Sequence, residues 1–248
     1  MTRISVELVP RDVEVLKEEV KTIKEKLSDV DFINIPDLLS CDTRSWDGAN
    51  IAKAYFDDVV PHLRAMDFDF TKELPIKDKL REYNIKEVLV IEGDPPQSML
   101  YQVYPTISTD IIKKFSEEMP EITVYAGIDQ YRSSMKEEEY RIRRKQLAGA
   151  KGFFTQPFFD MRYLEMYADL LDGLDIYWGV SPVLSERSVS YWRNKNNVIF
   201  PKDFEATLEW NIEFARKVID FARKHNHNVY LMPIKAKIMP YLEGVFAK

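Results

Sequence analysis

The stretch Arg3-Ile4-Ser5-Val6-Glu7-Leu8-Val9 decides how this chain folds. Ile4, Val6 and Leu8 alternate with Ser5, Glu7 and Val9, and a period of two belongs to a β-strand whose successive side chains stand on opposite faces. The all-apolar set needs a covering layer. Residues 12–28 provide it: behind Asp12, a helix-capping type, Val13, Leu16, Val20, Ile23 and Leu27 recur at helical spacing. Working outward, the same pairing returns along the whole chain. Strands are expected over 31–36, 62–68, 87–91, 122–128, 152–156, 176–180 and 228–232. Helices are expected over 51–60, 72–83, 109–118, 136–147, 161–171, 186–194 and 204–224, with a short one at the end. Repeated βα units of this length imply parallel strands. Eight of them in 248 residues, with no low-complexity linker, predict one (β/α)8 barrel over 1–248, with a doubly wound open sheet as the alternative.

Composition removes several function classes. Hydrophobic residues at 45% and charged residues at 31% describe a chain that buries a core and is neither disordered nor fibrous. A net charge of -6 supplies no general basic field for nucleic acid or anionic lipid. The first strand begins almost at once, with no apolar signal segment, and no run reaches the roughly 20 apolar residues of a membrane span, so a cytoplasmic protein is expected. Cys41 is the single cysteine, which leaves no internal disulfide and no zinc site of several thiolates. His225 and His227 flank a helix-to-strand turn without a third ligand nearby, and no metal is expected there. Neither a Gly-x-Gly-x-x-Gly nor a Walker-type phosphate loop occurs.

In such a barrel the chemistry sits at the carboxyl ends of the strands, which directs attention to Glu7, His62, Asp94, Gln156 and Ser181. Parity turns Ser5 and Glu7 into the barrel. A carboxylate buried there without a partner has a raised pKa, the property of a general acid near neutral pH; the other reading is an ion pair with a Lys or Arg of another strand. Asp94, between Glu92-Gly93 and Pro95-Pro96, lies in a tight loop where turn chemistry alone would also place it. Thr155-Gln156-Pro157-Phe158-Phe159-Asp160 sets an amide beside aromatics, suited to a flat heterocycle; read otherwise, the Phe pair is core and Asp160 caps the next helix. Arg141, Arg143, Arg144 and Lys145 form a basic cluster that is either a solvated face or a phosphate contact.

Five segments resemble one family in order and placement. They are Ile4-Ser-Val-Glu-Leu-Val-Pro10, Pro61-His-Leu-Arg-Ala-Met-Asp67, Val90-Ile-Glu-Gly-Asp-Pro-Pro96, Ala148-Gly-Ala-Lys-Gly-Phe-Phe-Thr-Gln-Pro-Phe-Phe-Asp160 and Trp178-Gly-Val-Ser-Pro-Val183. They are similar to the motifs of methylenetetrahydrofolate reductase, and the resemblance covers the catalytic barrel only. It implies a flavoprotein of one-carbon metabolism that reduces a methylene group on a reduced pterin, tetrahydrofolate or a related tetrahydropterin, to a methyl group. FAD or FMN would be the cofactor and NADH or NADPH the electron donor. Carried over by position, Glu7 matches the acid that protonates the carrier nitrogen. Asp94 matches the carboxylate beside flavin and pterin, and Gln156 the amide that contacts the pterin, with Phe158 or Phe159 walling that pocket. His62 matches a flavin-contacting histidine, Tyr104 a flavin-contacting tyrosine, and Arg144 with Lys145 the basic pair near the flavin phosphates.

The chain also departs from the family. Glu92-Gly93-Asp94 stands where Arg-Gly-Asp is usual, Ala126-Gly-Ile-Asp-Gln-Tyr131 lacks the family's His-Pro, the second-strand threonine is replaced near Pro36, and Pro233-Ile234-Lys235 replaces Leu-Asn-Arg. An anion in place of a cation bears on the flavin more than on the pterin. Two other functions therefore stay open: a non-catalytic or partner-dependent barrel subunit, and a flavin-free pterin-dependent methyltransferase. A homo-oligomer or a partner subunit is compatible with either.

Overall fold

In the computed structural model, which describes residues 2–96, 98, 101–234 and 236–247, the chain forms a closed parallel barrel. Among the described residues the strands are β1 (Ile4–Glu7), β2 (Phe32–Ile35), β3 (Val59–Arg64), β4 (Glu87–Ile91), β5 (Thr123–Ile128), β6 (Gly152–Pro157), β7 (Ile176–Val180) and β8 (Asn228–Leu231). Each pairs with the next, and β8 pairs with β1 to close the ring. The helices around it are α1 (Val13–Lys26), α2 (Ser45–Ala52), α3 (Lys77–Glu82), α4 (Ser108–Glu118), α5 (Met135–Ala148), α6 (Met161–Leu170), α7 (Glu186–Lys195), α8 (Leu208–His225) and α9 (Ile238–Phe246). The predicted (β/α)8 barrel is thus the observed one. No described helix is long and apolar enough to cross a membrane.

Two apolar layers hold it together, and parity separates them. Ile4, Val6 and Leu8 join Leu16, Val20 and Ile23 of α1 in the layer between sheet and helices. Inside the barrel, Phe32, Val60, Leu89, Tyr125, Phe154, Tyr177, Tyr230 and Met232 form a second cluster, in which the Phe154 and Tyr177 rings stack at 4.1 Å. Each fully buried side chain of this size contributes roughly 1.5–3 kcal/mol, so closing the ring stabilises both faces of every strand at once. The helix starts are capped as the residue types require: the Asp12 carboxylate accepts from the amides of Glu14 and Val15, and Asp160 from that of Arg162.

The structure departs most from the expected boundaries over residues 45–68. The helix expected over 51–60 instead runs Ser45–Ala52, through Trp46 and Gly48 where a polar loop is expected, and β3 begins at Val59 rather than His62. The β-branched Val59 and Val60 pair with Ile33 and Asn34 of β2, a ladder that outweighs the helical spacing of the residues before them. Residues 65–67, expected as strand, turn into a single 3-10 turn.

Candidate active site

Strand parity carries Glu7 from the last position of β1 into the top of the barrel, where it is 9% exposed. The Tyr230 hydroxyl, arriving from β8, donates to Glu7 Oε2. His62 of β3 brings its Nδ1 within 4.0 Å of the same oxygen. Its Nε2 lies 3.3 Å from Asn34 Oδ1, while Asn34 Nδ2 donates to Ser5 Oγ at 2.9 Å. With the amide so oriented, Nε2 carries the ring proton and the Nδ1 lone pair faces Glu7. Among the described residues no Lys or Arg pairs with Glu7, so of the two readings of this carboxylate the interstrand ion pair is not formed.

The electrostatics follow from that omission. Burial pushes the Glu7 carboxyl up to about 7, with the Tyr230 hydrogen bond pulling the other way. Burial likewise drives the His62 imidazole down to about 3, which keeps it neutral and unable to compensate a charge on Glu7. A carboxyl that titrates near neutrality beside a neutral imidazole can hold a proton and release it to a ligand.

Above this cluster opens a cleft of about 700 Å³, within the size range of small-molecule sites. Glu7, His62, Asp94, Gln156 and Tyr230 all line it. Gln156 faces inward because β6 alternates Gly152, Phe154 and Gln156 toward the barrel axis; its main chain is clasped by Gln130, whose Nε2 donates to the Gln156 carbonyl at 2.7 Å and whose Oε1 accepts from its amide at 3.1 Å. Asp94 stands exposed on the rim. Its carbonyl accepts from Arg64 Nη2 at 2.7 Å, and Arg64 is in turn tied through Asp67 to Arg44 and Asp37. Gly93, at φ 87°, makes the turn before Asp94; a Cβ there would meet Arg64 Cβ at 3.1 Å.

A second cavity of about 410 Å³ adjoins the cleft across Ile91, Gly127, Ile128 and Gln156. Arg132, Arg141, Arg144 and Lys145 line it, together with Glu92, Asp129 and Glu138. Lys145 Nζ donates to the Gly127 carbonyl at 2.6 Å, and burial lowers its pKa. Arg141 Nη1 and Glu138 Oε2, 3.6 Å apart, and Thr109 Oγ1 are buried without hydrogen-bond partners. Such orphaned groups suit a polar ligand. Glu92 is committed elsewhere in part: its carboxylate accepts from the Ser108 amide at 3.1 Å and from the Ser108 hydroxyl, occupying the N-terminus of α4.

Several expected site residues lie away from the cleft. Phe158 and Phe159 do not wall it. The register of β6 against β7 shifts between Phe154 and Pro157, and the chain beyond turns outward: Phe158 packs against Tyr163, Tyr167 and Trp178 under the helices, and Phe159 against Trp192, Phe200 and Phe204. Tyr104 is held by its amide to the Met66 carbonyl and lines neither cavity. Ser181 is buried with its hydroxyl unpartnered, also off both linings. His227 accepts from the Trp178 indole at 3.0 Å, and His225 stacks on Phe221. Lys235 lies outside the described residues. Conversely, Tyr230 and Arg187 line the cleft although no motif marks them; the alternation of Asn228, Tyr230 and Met232 with Val229 and Leu231 is the signal that turns Tyr230 inward.

Comparison with known proteins bears on this geometry. No protein-family model matches the chain. A 5,10-methylenetetrahydrofolate reductase of Buchnera aphidicola subsp. Schizaphis graminum (strain Sg) is 22% identical over 147 residues, which are 57% of this chain and 50% of that protein. Among solved structures, an uncharacterized protein from Clostridium thermocellum that binds two copies of 5-methyl-5,6,7,8-tetrahydrofolic acid superposes with a TM-score of 0.63 at 13% identity, covering 98% of this chain and 94% of that one. A 2,3-dimethylmalate lyase superposes with a TM-score of 0.60 at 10% identity over 95% and 75%. At these identities the structural likeness is one of fold. The chain is a (β/α)8 barrel whose sequence resembles methylenetetrahydrofolate reductase.

Proposed function

We propose that this chain reduces the methylene group of a reduced methylene-pterin, 5,10-methylenetetrahydrofolate or a related tetrahydropterin, to a methyl group. The observation that carries this reading is Glu7: an inward carboxyl at the mouth of the barrel, without a cation among the described residues, that holds its proton near neutral pH. Glu7 gives that proton to the carrier nitrogen as the five-membered ring opens, and takes up negative charge that the Tyr230 hydroxyl stabilises. Gln156 offers an amide edge to the pterin ring, and Asp94, two strands away past β4, a carboxylate on the rim. The likeness to a reductase in sequence and to a methyltetrahydrofolate-binding barrel in fold supports a folate-type ligand.

The residues of the second cavity fit a phosphate-bearing group. Arg141, Arg144 and Lys145 would hold the phosphates of FAD or FMN, and the orphaned Arg141 Nη1 and Thr109 Oγ1 would find partners there. A bound flavin supplies the hydride, with NADH or NADPH as its reductant. One observation favours a second reading, a flavin-free pterin enzyme such as a methyltransferase: Glu92 already places a carboxylate in this cavity and on the α4 N-terminus. The absorption spectrum of the purified protein separates the two, since only the first predicts flavin bands. For the acid, stopped-flow measurement of Glu7→Gln should show methylene-pterin reduction slowed by about 10²–10⁴-fold with donor-dependent flavin reduction retained. Equal loss in both half-reactions would remove Glu7 from the chemistry.

A further inference from the structure

The two polar neighbours of the Glu7 carboxyl among the described residues meet the same oxygen. Tyr230 donates its O–H to Oε2, and His62 Nδ1 lies 4.0 Å from Oε2. The phenol has little freedom to do otherwise. Tyr230 is 4% exposed, sits on β8 directly beside β1, and has its ring edge-on to Phe154 at 5.2 Å and to His62 at 6.2 Å. We propose that Tyr230 is the positioning residue of the acid: by occupying Oε2 it confines the transferable proton of Glu7 to Oε1 and presents that oxygen to the cleft. Tyr230 lies outside every motif by which the chain resembles its relatives, and the inference rests on Glu7 being the acid of the proposed reaction.

The step balances without further reactants. The Oε1–H bond breaks, a nitrogen of the ligand gains the proton, and the electron pair stays on the carboxylate. Charge delocalised onto Oε2 then strengthens the bond from Tyr230, because a hydrogen bond to an ionised acceptor is about twice as strong as a neutral one. Tyr230 keeps its own proton throughout, since burial and the adjacent Glu7 hold the phenol far above its ordinary pKa. His62 faces Glu7 from β3 but is neutral, and β2 contributes the uncharged Asn34. Asp94, beyond β4, and Arg187, on α7, are the other charged groups lining the cleft among the described residues.

The test reads Glu7 directly and needs no substrate. Glutamate carrying a ¹³C label in its side-chain carboxyl allows Glu7 to be titrated by NMR, its resonance being the one lost in Glu7→Gln. Tyr230→Phe removes the donor and keeps the ring, so the midpoint should rise by about one pH unit or more. Replacing Tyr230 with 3-fluorotyrosine strengthens the donor, and the midpoint should fall. In turnover, the alkaline limb of the kcat profile should move the same way in each variant, with KM little changed. Opposite shifts establish the role; an unmoved midpoint, or shifts of the same sign, overturns it. Should Tyr230→Phe fail to fold, the fluorotyrosine arm alone decides by its sign. Opposite shifts in a protein that does not reduce methylene-pterins would refute the proposed reaction while leaving the Glu7–Tyr230 pair in place.

Discussion

Each end of the barrel sets a carboxylate against tyrosine hydroxyls, Glu87 half-buried at one end and Glu7 buried at the other, but among the described residues a cation accompanies only Glu87. At the amino-terminal end Arg3 reaches up from the start of β1 and grips Glu87 with two parallel bonds of 3.1 Å, while Tyr125 and Tyr177 complete the ring at 3.2 and 3.0 Å from Arg3 Nη1. The guanidinium also lies 4.4 Å from the centre of the Phe32 ring. Arg3 Nη2 also lies 3.3 Å from Asp58 Oδ2, so the one guanidinium ties two carboxylates together and the group acts as a plug. At the carboxyl-terminal end Glu7 meets a phenol and a neutral imidazole, and no other described residue compensates its charge. A fully paired carboxylate has no reason to take up or release a proton near pH 7, whereas one left with only a hydroxyl donor has. The same residue type in the same barrel is tied down at one end and left free to exchange a proton at the other according to whether an arginine is within reach.

The largest expected effect comes from unmatching the lower end. Arg3→Leu leaves Glu87 without its cation and should cost on the order of 4 kcal/mol in urea unfolding, with carrier affinity of the folded protein unchanged. Adding Glu87→Leu should restore most of that loss, since the penalty lies in the orphaned charge. A double variant as unstable as the single one would mean the pair does more than cancel itself.

At the upper end the sign reverses. Glu7 titrates at about 7 when folded against 4.5 ordinarily, so its protonated form favours the native state below pH 4.5, and that contribution is lost as pH rises through 7. Glu7→Gln, which cannot ionise, should therefore be more stable than the wild type by about 3 kcal/mol at pH 8, with the difference vanishing toward pH 4.5. Equal stability at both pH values would show Glu7 to be compensated after all.

Making the upper end resemble the lower is a third way to break the contrast. His62→Lys puts an ammonium beside Glu7, which should stay ionised at neutral pH and lose turnover by roughly a hundredfold without losing the carrier. Retention of full turnover would separate the acid from Glu7. The smallest effect concerns binding alone: Gln156→Ala should weaken carrier binding by about 1–2 kcal/mol in a fluorescence titration while leaving the Glu7 midpoint where it is. An unchanged affinity would move the pterin off β6.

Much of this was legible in one dimension. The alternation in residues 3–9 assigned Ile4, Val6 and Leu8 to the helix side and Ser5 and Glu7 to the interior, and the interior placement of Gln156 follows from the same period. Asp12 and Asp160 announced their helices because a short carboxylate satisfies the first free amides of a helix wherever it occurs. Order, parity and caps are local properties, and the closed ring of eight strands follows from their repetition.

What parity leaves undetermined is height within the barrel and the partner met there. Arg3, Ser5 and Glu7 share the inward face, yet four residues of strand separate the cation from Glu7 by roughly 13 Å. Which carboxylate Arg3 meets depends on the stagger of β4 against β1, and the barrel brings Glu87 to it. Tyr230 reaches Glu7 across 223 positions of sequence for the same reason: closure sets β8 beside β1 in a register that puts the phenol level with the acid. The register shift between β6 and β7 that turns Phe158 and Phe159 outward is likewise a relation between strands, and at that shift a Cβ on Gly179 would come within 2.5 Å of the Thr155 carbonyl oxygen. The sequence by itself determined the order of the strands and, through parity, the inward set of β1 with Ser5 and Glu7, while the ends of β3 and the outward turn of Phe158 and Phe159 were settled by pairing between strands. Only the tertiary structure decided that Glu7 would meet Tyr230 and no cation among the described residues, because pairing across a barrel is set by interstrand stagger, and stagger is a property of the closed ring rather than of any one strand.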